Sequence, residues 1–261
     1  MDLELDDSTA LVTASSSGLG FASAQALASE GANVTICGRD GDRLEDARED
    51  VAETGPGDVL AIQADLTDPD DVSRLVGETV ETFGGLDHVV TSAGGPPSTT
   101  FLETDERDWY ASFDLLVMSV VWTIEEAHPH LLESPHGTIT CITSRTVKEV
   151  ADGLLLSNAV RRGVEGLVKT ISREFAPEIR ANTVVPGTIE TARIEELLEA
   201  RIERGVYADY EEGLADFADS VPMDRIGEPR ELGDLVAVLA SPRASYVNGA
   251  SIPIDGGELR S

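Results

Sequence analysis

The feature that most restricts the fold is a strict alternation of short, β-branched apolar runs with helical stretches. Residues 10–13, 33–37, 59–66, 86–91 and 137–144 read as buried strands, as do a run ending in Pro186-Gly187 and a last one near Ile254. Between them lie helical patterns. Phe21, Ala24, Leu27 and Ala28 share one face after the first strand, and further helices are predicted over 43–54, 68–83 and 109–132. Over 154–176, Val160, Val164, Leu167, Val168 and Ile171 recur at three- and four-residue spacing. Strands alternating with helices in this way make an α/β fold: a single doubly wound parallel sheet with helices on both faces. A chain of 261 residues buries one full core, so a single domain over 1–261 is expected and no large second domain fits.

Charge narrows the choice of partners. Nineteen basic residues against 49 acidic ones give a net charge of −30, and Lys148 and Lys169 are the only lysines. Such a surface repels phosphate backbones and anionic lipid, which excludes nucleic acid and membranes as partners. The composition resembles that of proteins from salt-accumulating halophiles, with an acidic mesophile protein as the plainer alternative. The start, Met1-Asp2-Leu3-Glu4-Leu5-Asp6-Asp7, lacks the basic and apolar segments of a signal peptide, and no apolar run is long enough to span a bilayer. A cytoplasmic protein is expected. Cys37 and Cys141 fall in predicted strands without metal-ligand spacing and read as small hydrophobes, so no metal site is expected.

The first strand leads into Ala14-Ser15-Ser16-Ser17-Gly18-Leu19-Gly20 and then a helix. A small-residue turn at a helix N-terminus is an anion site, because free N–H groups and the helix dipole converge there. Taken alone it is also what any tight strand–helix connection looks like. The second strand ends in Gly38-Arg39-Asp40. In dinucleotide folds that point faces the adenosine ribose, where an acid favours NAD and an arginine pairs with the 2′-phosphate of NADP.

Further along, Ile142-Thr143-Ser144 closes a strand thirteen residues before Ser157, which opens a helix with Arg161 four residues on. A strand ending in serine followed by such a helix resembles the active site of the short-chain dehydrogenase/reductases, in the divergent branch similar to 3-oxoacyl-carrier-protein reductases. The resemblance runs along essentially the whole chain and implies a Rossmann fold. The family's Thr-Gly-x-x-x-Gly-x-Gly keeps Gly18 and Gly20, with Ala14 in place of the first glycine; alanine serves if that position does not need positive φ. Alignment puts Gly38 at the NAD acid's position and Arg39 at the NADP arginine's. NADP(H) is therefore the expected cofactor and NAD(H) the second choice. Asp65-Leu66 resembles the adenine-contacting pair, although Asp65 also reads as the start of a turn. Thr91-Ser92-Ala93-Gly94 matches Asn-Asn-Ala-Gly with both asparagines replaced. Pro186-Gly187, with Ile189 and Thr191 after it, resembles the segment that holds the nicotinamide carboxamide, and 190–225 takes the place of a helical substrate lid.

The same resemblance exposes what is missing. The family's Tyr-x-x-x-Lys, in which tyrosine delivers the proton and lysine lowers its pKa, is here Ser157 and Arg161. Leu116 takes the place of an asparagine that holds a relay water. Ser144 is retained and can polarise a carbonyl. Arg161 can hold the cofactor ribose or an anion but cannot relay a proton. Two functions stand: an NADP-dependent oxidoreductase acting on carbonyl or alcohol groups with an altered catalytic site (Ser144, Ser157, Arg161), its acid a bound water or a lid tyrosine (Tyr207 or Tyr210), or a non-catalytic dinucleotide-binding protein. Arg145, Lys148, Arg161 and Arg162 near one pocket point to an anionic small-molecule substrate. The helices at 109–132 and 154–176 are apolar enough for the family's homodimer or homotetramer.

Overall fold

Each apolar run becomes a parallel strand. The computed structural model describes residues 2–260, except the side chains of residues 193, 196, 197 and 200. Its strands are β1 (Thr9–Val12), β2 (Asn33–Gly38), β3 (Val59–Gln63), β4 (His88–Thr91), β5 (Thr138–Ile142), β6 (Arg180–Pro186) and β7 (Ser251–Ile254). They form one seven-stranded sheet in the order β3-β2-β1-β4-β5-β6-β7, every pair parallel. Strand order reverses between β1 and β4, which opens a crevice at their carboxyl ends, the usual ligand position in doubly wound sheets.

Ten α-helices cover the sheet among the described residues: α1 (Gly18–Ser29), α2 (Gly41–Ala52), α3 (Pro69–Phe83), α4 (Glu106–Phe113), α5 (Ser119–Leu131), α6 (Leu155–Val160), α7 (Arg162–Glu174), α8 (Ala192–Glu203), α9 (Tyr210–Asp219) and α10 (Pro229–Ala240). Side-chain alternation along the strands divides the core in two. Leu11, Val89, Ile139 and Ala181 face Leu75, Ile124, Val164 and Val168 on one side. Ala10, Val12, Ile36 and Val184 face Leu27, Leu44, Leu232 and Val236 on the other. Cys37 and Cys141 are free and fully buried, and burial pushes their thiols up to about 12 and about 11, as inert core residues require. No helix among the described residues is long and apolar enough to cross a membrane.

Three elements differ from expectation. The helix expected over 109–132 begins at Glu106, where Asp105 and Asp108 form a capping box, and it contains a π-turn over Asp114–Met118. The helix expected over 154–176 is two pieces, α6 and α7, meeting at Arg161. β3 stops at Gln63 because Asp65 leaves the ladder: its amide donates to Asp71 Oδ2 at 2.8 Å and its carboxylate closes a turn on Thr67.

The described ion pairs are mostly exposed and local, such as Arg43–Asp40 and Arg74–Asp71, and exposed pairs of this kind add little stability. They leave a large excess of carboxylates to repel one another. The thermal unfolding midpoint should therefore rise from dilute buffer to ~1 M KCl, where screening shortens to about 3 Å. A midpoint indifferent to KCl in a calorimetric scan would remove the halophilic reading of the composition.

Candidate functional site

The glycine loop is built by close backbone approach. Ser15 donates from Oγ to Val12 O at 2.6 Å and accepts from Cys37 N at 2.9 Å, pinning the loop to β2. A Cβ on Gly20 would lie 2.5 Å from Ala14 O, so only glycine fits there. Gly18 adopts φ +62, and Ser17 caps α1 without a side-chain hydrogen bond, leaving the first-turn N–H groups available. Leu19 packs against the core from the first turn. The loop thus keeps the form of an anion cradle.

Ala14 corrects an expectation. Its φ is +47, so the position does need the left-handed conformation that alanine tolerates poorly. Ala14→Gly should stabilise the fold by roughly 0.5–1 kcal/mol, the relieved strain exceeding glycine's extra unfolded-state entropy. Urea unfolding of the two proteins measures it, and a destabilised variant would refute the strain.

At the end of β2, expected to face the adenosine, Ser16 occupies the space a side chain at residue 38 would need. A Cβ on Gly38 would lie 2.8 Å from Ser16 Oγ, which bars an acidic residue from that position. Asp40 is turned away into the start of α2, accepting from Arg43 N at 3.2 Å and Arg43 Nη2 at 3.0 Å; these bonds hold its carboxyl below the usual range. Arg39 is exposed, its carbonyl accepts from Gln63 Nε2 at 2.7 Å, and its guanidinium has no partner among the described residues. Asp65 Oδ1 is committed to Thr67 N and Oγ1 at 3.0 and 2.8 Å, so the turn reading of this residue is realised, with Leu66 buried beside it.

At the other end of the crevice, Thr13 Oγ1 donates to Ser92 O at 2.7 Å and accepts from Ser92 N at 2.9 Å, joining β1 to the small-residue segment Ser92-Ala93-Gly94. Arg161 Nη2 donates to Gly94 O at 3.1 Å. Its Nε is buried with no partner, and burial pulls the guanidinium pKa down to about 10, which leaves it protonated at neutral pH. An unpaired buried N–H at this point invites an acceptor. The turn after β6 reaches the same crevice: a Cβ on Gly18 would lie 4.0 Å from Thr191 Cγ2, while Ile189 is buried and bridges to Gly227. The uncapped helix start, the close-packed glycines and the orphaned Arg161 Nε together fit a dinucleotide.

The serines are organised by a residue the sequence does not advertise. Ser144 Oγ accepts from Thr146 N at 3.2 Å, which leaves its own proton free. Thr146 Oγ1 and Ser157 Oγ are 3.0 Å apart, both buried. Asn158 clamps Ala151 in both directions, Oδ1 accepting from its N at 3.0 Å and Nδ2 donating to its O at 2.8 Å. Only the short spacing Ser144-x-Thr146 hints at Thr146. Leu116 lies in the π-turn and is buried in the core.

The cationic pocket is not realised as expected. Arg145 Nη1 pairs with Glu258 at 3.0 Å and Lys148 Nζ with Glu165 at 2.7 Å, while exposed Arg162 bonds Asn158 O and Lys148 O. So acidic a chain supplies partners for its cations, and Arg161 alone of the four reaches the crevice-lining Gly94. The two tyrosines of the segment expected to form a lid have acidic neighbours. Tyr207 donates to Asp216 Oδ2 at 2.6 Å and accepts from Arg201 Nη1 at 2.9 Å, and Asp216 raises its pKa. Tyr210 OH is 3.4 Å from Glu190 Oε1; burial and then Glu190, Glu195 and Glu199 raise its pKa. No group of His, Cys, Asp or Glu among the described residues could hold a metal.

Known proteins resemble this chain along most of its length. A family model described as enoyl-(acyl carrier protein) reductase matches residues 13–258. An uncharacterized oxidoreductase of Mycobacterium tuberculosis is 30% identical over 254 residues, covering 97% of this chain and 92% of its own. The 3-oxoacyl-[acyl-carrier-protein] reductase of Thermotoga maritima is 30% identical over 256 residues, 98% and 99% covered. L-sorbose reductase from Gluconobacter frateurii, solved with NADPH and L-sorbose, superposes with a TM-score of 0.95 at 30% identity over 100% of both chains. A short chain oxidoreductase of Pseudomonas aeruginosa with an atypical catalytic center has a TM-score of 0.90 at 31% identity, covering 98% and 99%.

Proposed function

The chain belongs to the short-chain dehydrogenase/reductase family, and from that premise we propose an NADP-dependent oxidoreductase of carbonyl or alcohol groups whose proton chemistry departs from the family pattern. The observation that carries this reading is Arg161, bonded to Gly94 O with its Nε buried and unpaired beside the candidate nucleotide crevice. An acceptor such as a ribose hydroxyl would complete it. NADPH complexes among the structural neighbours support the cofactor class.

When bound, the nicotinamide supplies or accepts the hydride. The chain's own residues then have three tasks. The α1 N-terminus and Gly18 receive the pyrophosphate, and the free Arg39 guanidinium meets the 2′-phosphate. The Ser144 hydroxyl, its oxygen already accepting from Thr146 N, donates its proton as a hydrogen bond to the substrate oxygen. The Thr146–Ser157 pair leaves one hydroxyl proton over and can add a second such bond. None of these hydroxyls is an acid comparable to a tyrosine phenol of pKa about 10. Turnover of simple ketones should accordingly be slow.

A second reading, a dinucleotide-binding protein without turnover, is favoured by Tyr207, whose phenol is tied to Asp216 and Arg201. Self-association through the 106–131 helix is supported by Tyr110 and Phe113, 65% and 46% exposed on α4. Wild-type protein in high KCl, mixed with NADPH and a panel of ketones and aldehydes, separates the two functions. Oxidation of NADPH that depends on the carbonyl supports the enzyme, and tight NADPH binding with no oxidation supports the binding protein.

A further inference from the structure

We propose that Glu258, in the tail after β7, is a positioning residue for the nicotinamide end of the crevice. The proposal rests on the proposed dinucleotide site, with the nicotinamide against the segment carrying Ile189 and Thr191, as the family resemblance implies. Glu258 is 93% removed from solvent at its side chain, which is 7% exposed, and its carboxylate bridges two loops. Oε1 pairs with Arg145 Nη1 at 3.0 Å and accepts from Thr188 Oγ1 at 3.1 Å, while Oε2 accepts from Thr188 N at 2.8 Å. Arg145 directly follows Ser144, and Thr188 directly precedes Ile189. One buried carboxylate therefore fixes the loop bearing the polarising serine against the turn proposed to hold the carboxamide.

The local sequence is arranged to admit it. A Cβ on Gly187 would lie 2.7 Å from Glu258 Oε2 and 2.6 Å from Asp255 Cβ, so the tail packs where only glycine leaves room. Gly256 and Gly257 take φ +61 and +85 and turn the tail against Val221, Pro222 and Met223. Asp255 Oδ2 accepts from Leu259 N at 2.8 Å, and Glu149 Oε1 accepts from Arg260 N at 2.7 Å, so Glu258 is held from both sides. A carboxylate is the group this spot demands, because Arg145 and both Thr188 groups present donors to it. A glutamine of the same shape would turn an amide N–H₂ toward donors.

A plain staple for the C-terminus would have the same contacts, and ligand halves tell the two apart. Wild type, Glu258→Gln and Arg145→Gln are titrated calorimetrically with NADPH and NADH, and with adenosine 2′,5′-bisphosphate and AMP as the adenosine halves alone. Glu258→Gln should weaken the preferred dinucleotide by about ten- to a hundredfold, the loss typical of a charged hydrogen bond, and leave its adenosine half unchanged. Arg145→Gln, which keeps both Thr188 bonds, should show a smaller loss of the same kind and serves if Glu258→Gln does not fold. Equal loss for whole and half ligands, or no loss for either, overturns the positioning role while the cofactor reading survives. Wild type that binds the dinucleotides no better than their adenosine halves overturns the nicotinamide site and Glu258's role with it.

Discussion

Ser157→Tyr combined with Arg161→Lys should raise the rate of ketone reduction by about 10²–10⁴-fold, the usual contribution of a positioned acid. In the proposed site Ser144 would present a hydroxyl proton to a substrate oxygen, yet neither proposed neighbour could deliver a proton near neutral pH. Ser157 is an aliphatic hydroxyl, and Arg161, though pulled down to about 10 by burial, stays charged. Thr146 Oγ1 lies 3.0 Å from Ser157 Oγ, so a tyrosine ring there has to turn away from Thr146. A lysine at 161 loses the fork that reaches Gly94 O but gains the point charge that lowers a phenol's pKa. Leu116→Asn belongs in the same series, since a leucine cannot hold a relay water. Made alone it should destabilise the protein, because Leu116 is 2% exposed in the core and an amide there lacks partners. Steady-state rates with NADPH decide the matter. Fast ketone turnover by wild type that falls in the double variant would mean that a native acid has gone unrecognised.

Arg39→Ala should weaken NADPH by about 10- to 100-fold and leave NADH nearly unchanged, the effect expected for one charge-assisted bond to the 2′-phosphate. Three local facts make the site specific. Ser16 fills the space above Gly38, Asp40 is spent on the cap of α2, and the Arg39 guanidinium is exposed without a partner among the described residues. Introducing an acid at residue 38 to switch the cofactor would first have to displace Ser16. Equal weakening of both dinucleotides in calorimetry would take Arg39 out of the site.

The fold was legible because its signals are local and repeated. A run such as Asn33-Val34-Thr35-Ile36-Cys37 can only be a buried strand, and six others like it leave one architecture. The frame of the site was legible for the same reason: Gly18, Gly20 and Pro186-Gly187 mark turns where backbone must pass close to backbone. What the sequence hid depends on contacts between distant segments. Ala14 looked like a tolerable replacement until the chain's path required φ +47. Arg145 and Lys148 looked like free cations because Glu258 and Glu165, over a hundred and about seventeen residues away, could not be seen to neutralise them. Tyr207 looked available until folding brought Asp216 to its hydroxyl. Thr146 is marked only by its spacing from Ser144, and its role comes from the packing of the loop after β5 against α6, which brings its hydroxyl to Ser157.

We have proposed that this crevice holds NADP even though the residues that normally complete the family's chemistry are replaced. Titrating wild-type protein with NADPH and with NADH at high KCl, by calorimetry and nicotinamide fluorescence, tests it most directly. Saturable binding of NADPH, tighter than NADH by about tenfold or more, is the expected result. A protein that binds neither dinucleotide, or prefers NADH, would contradict the account.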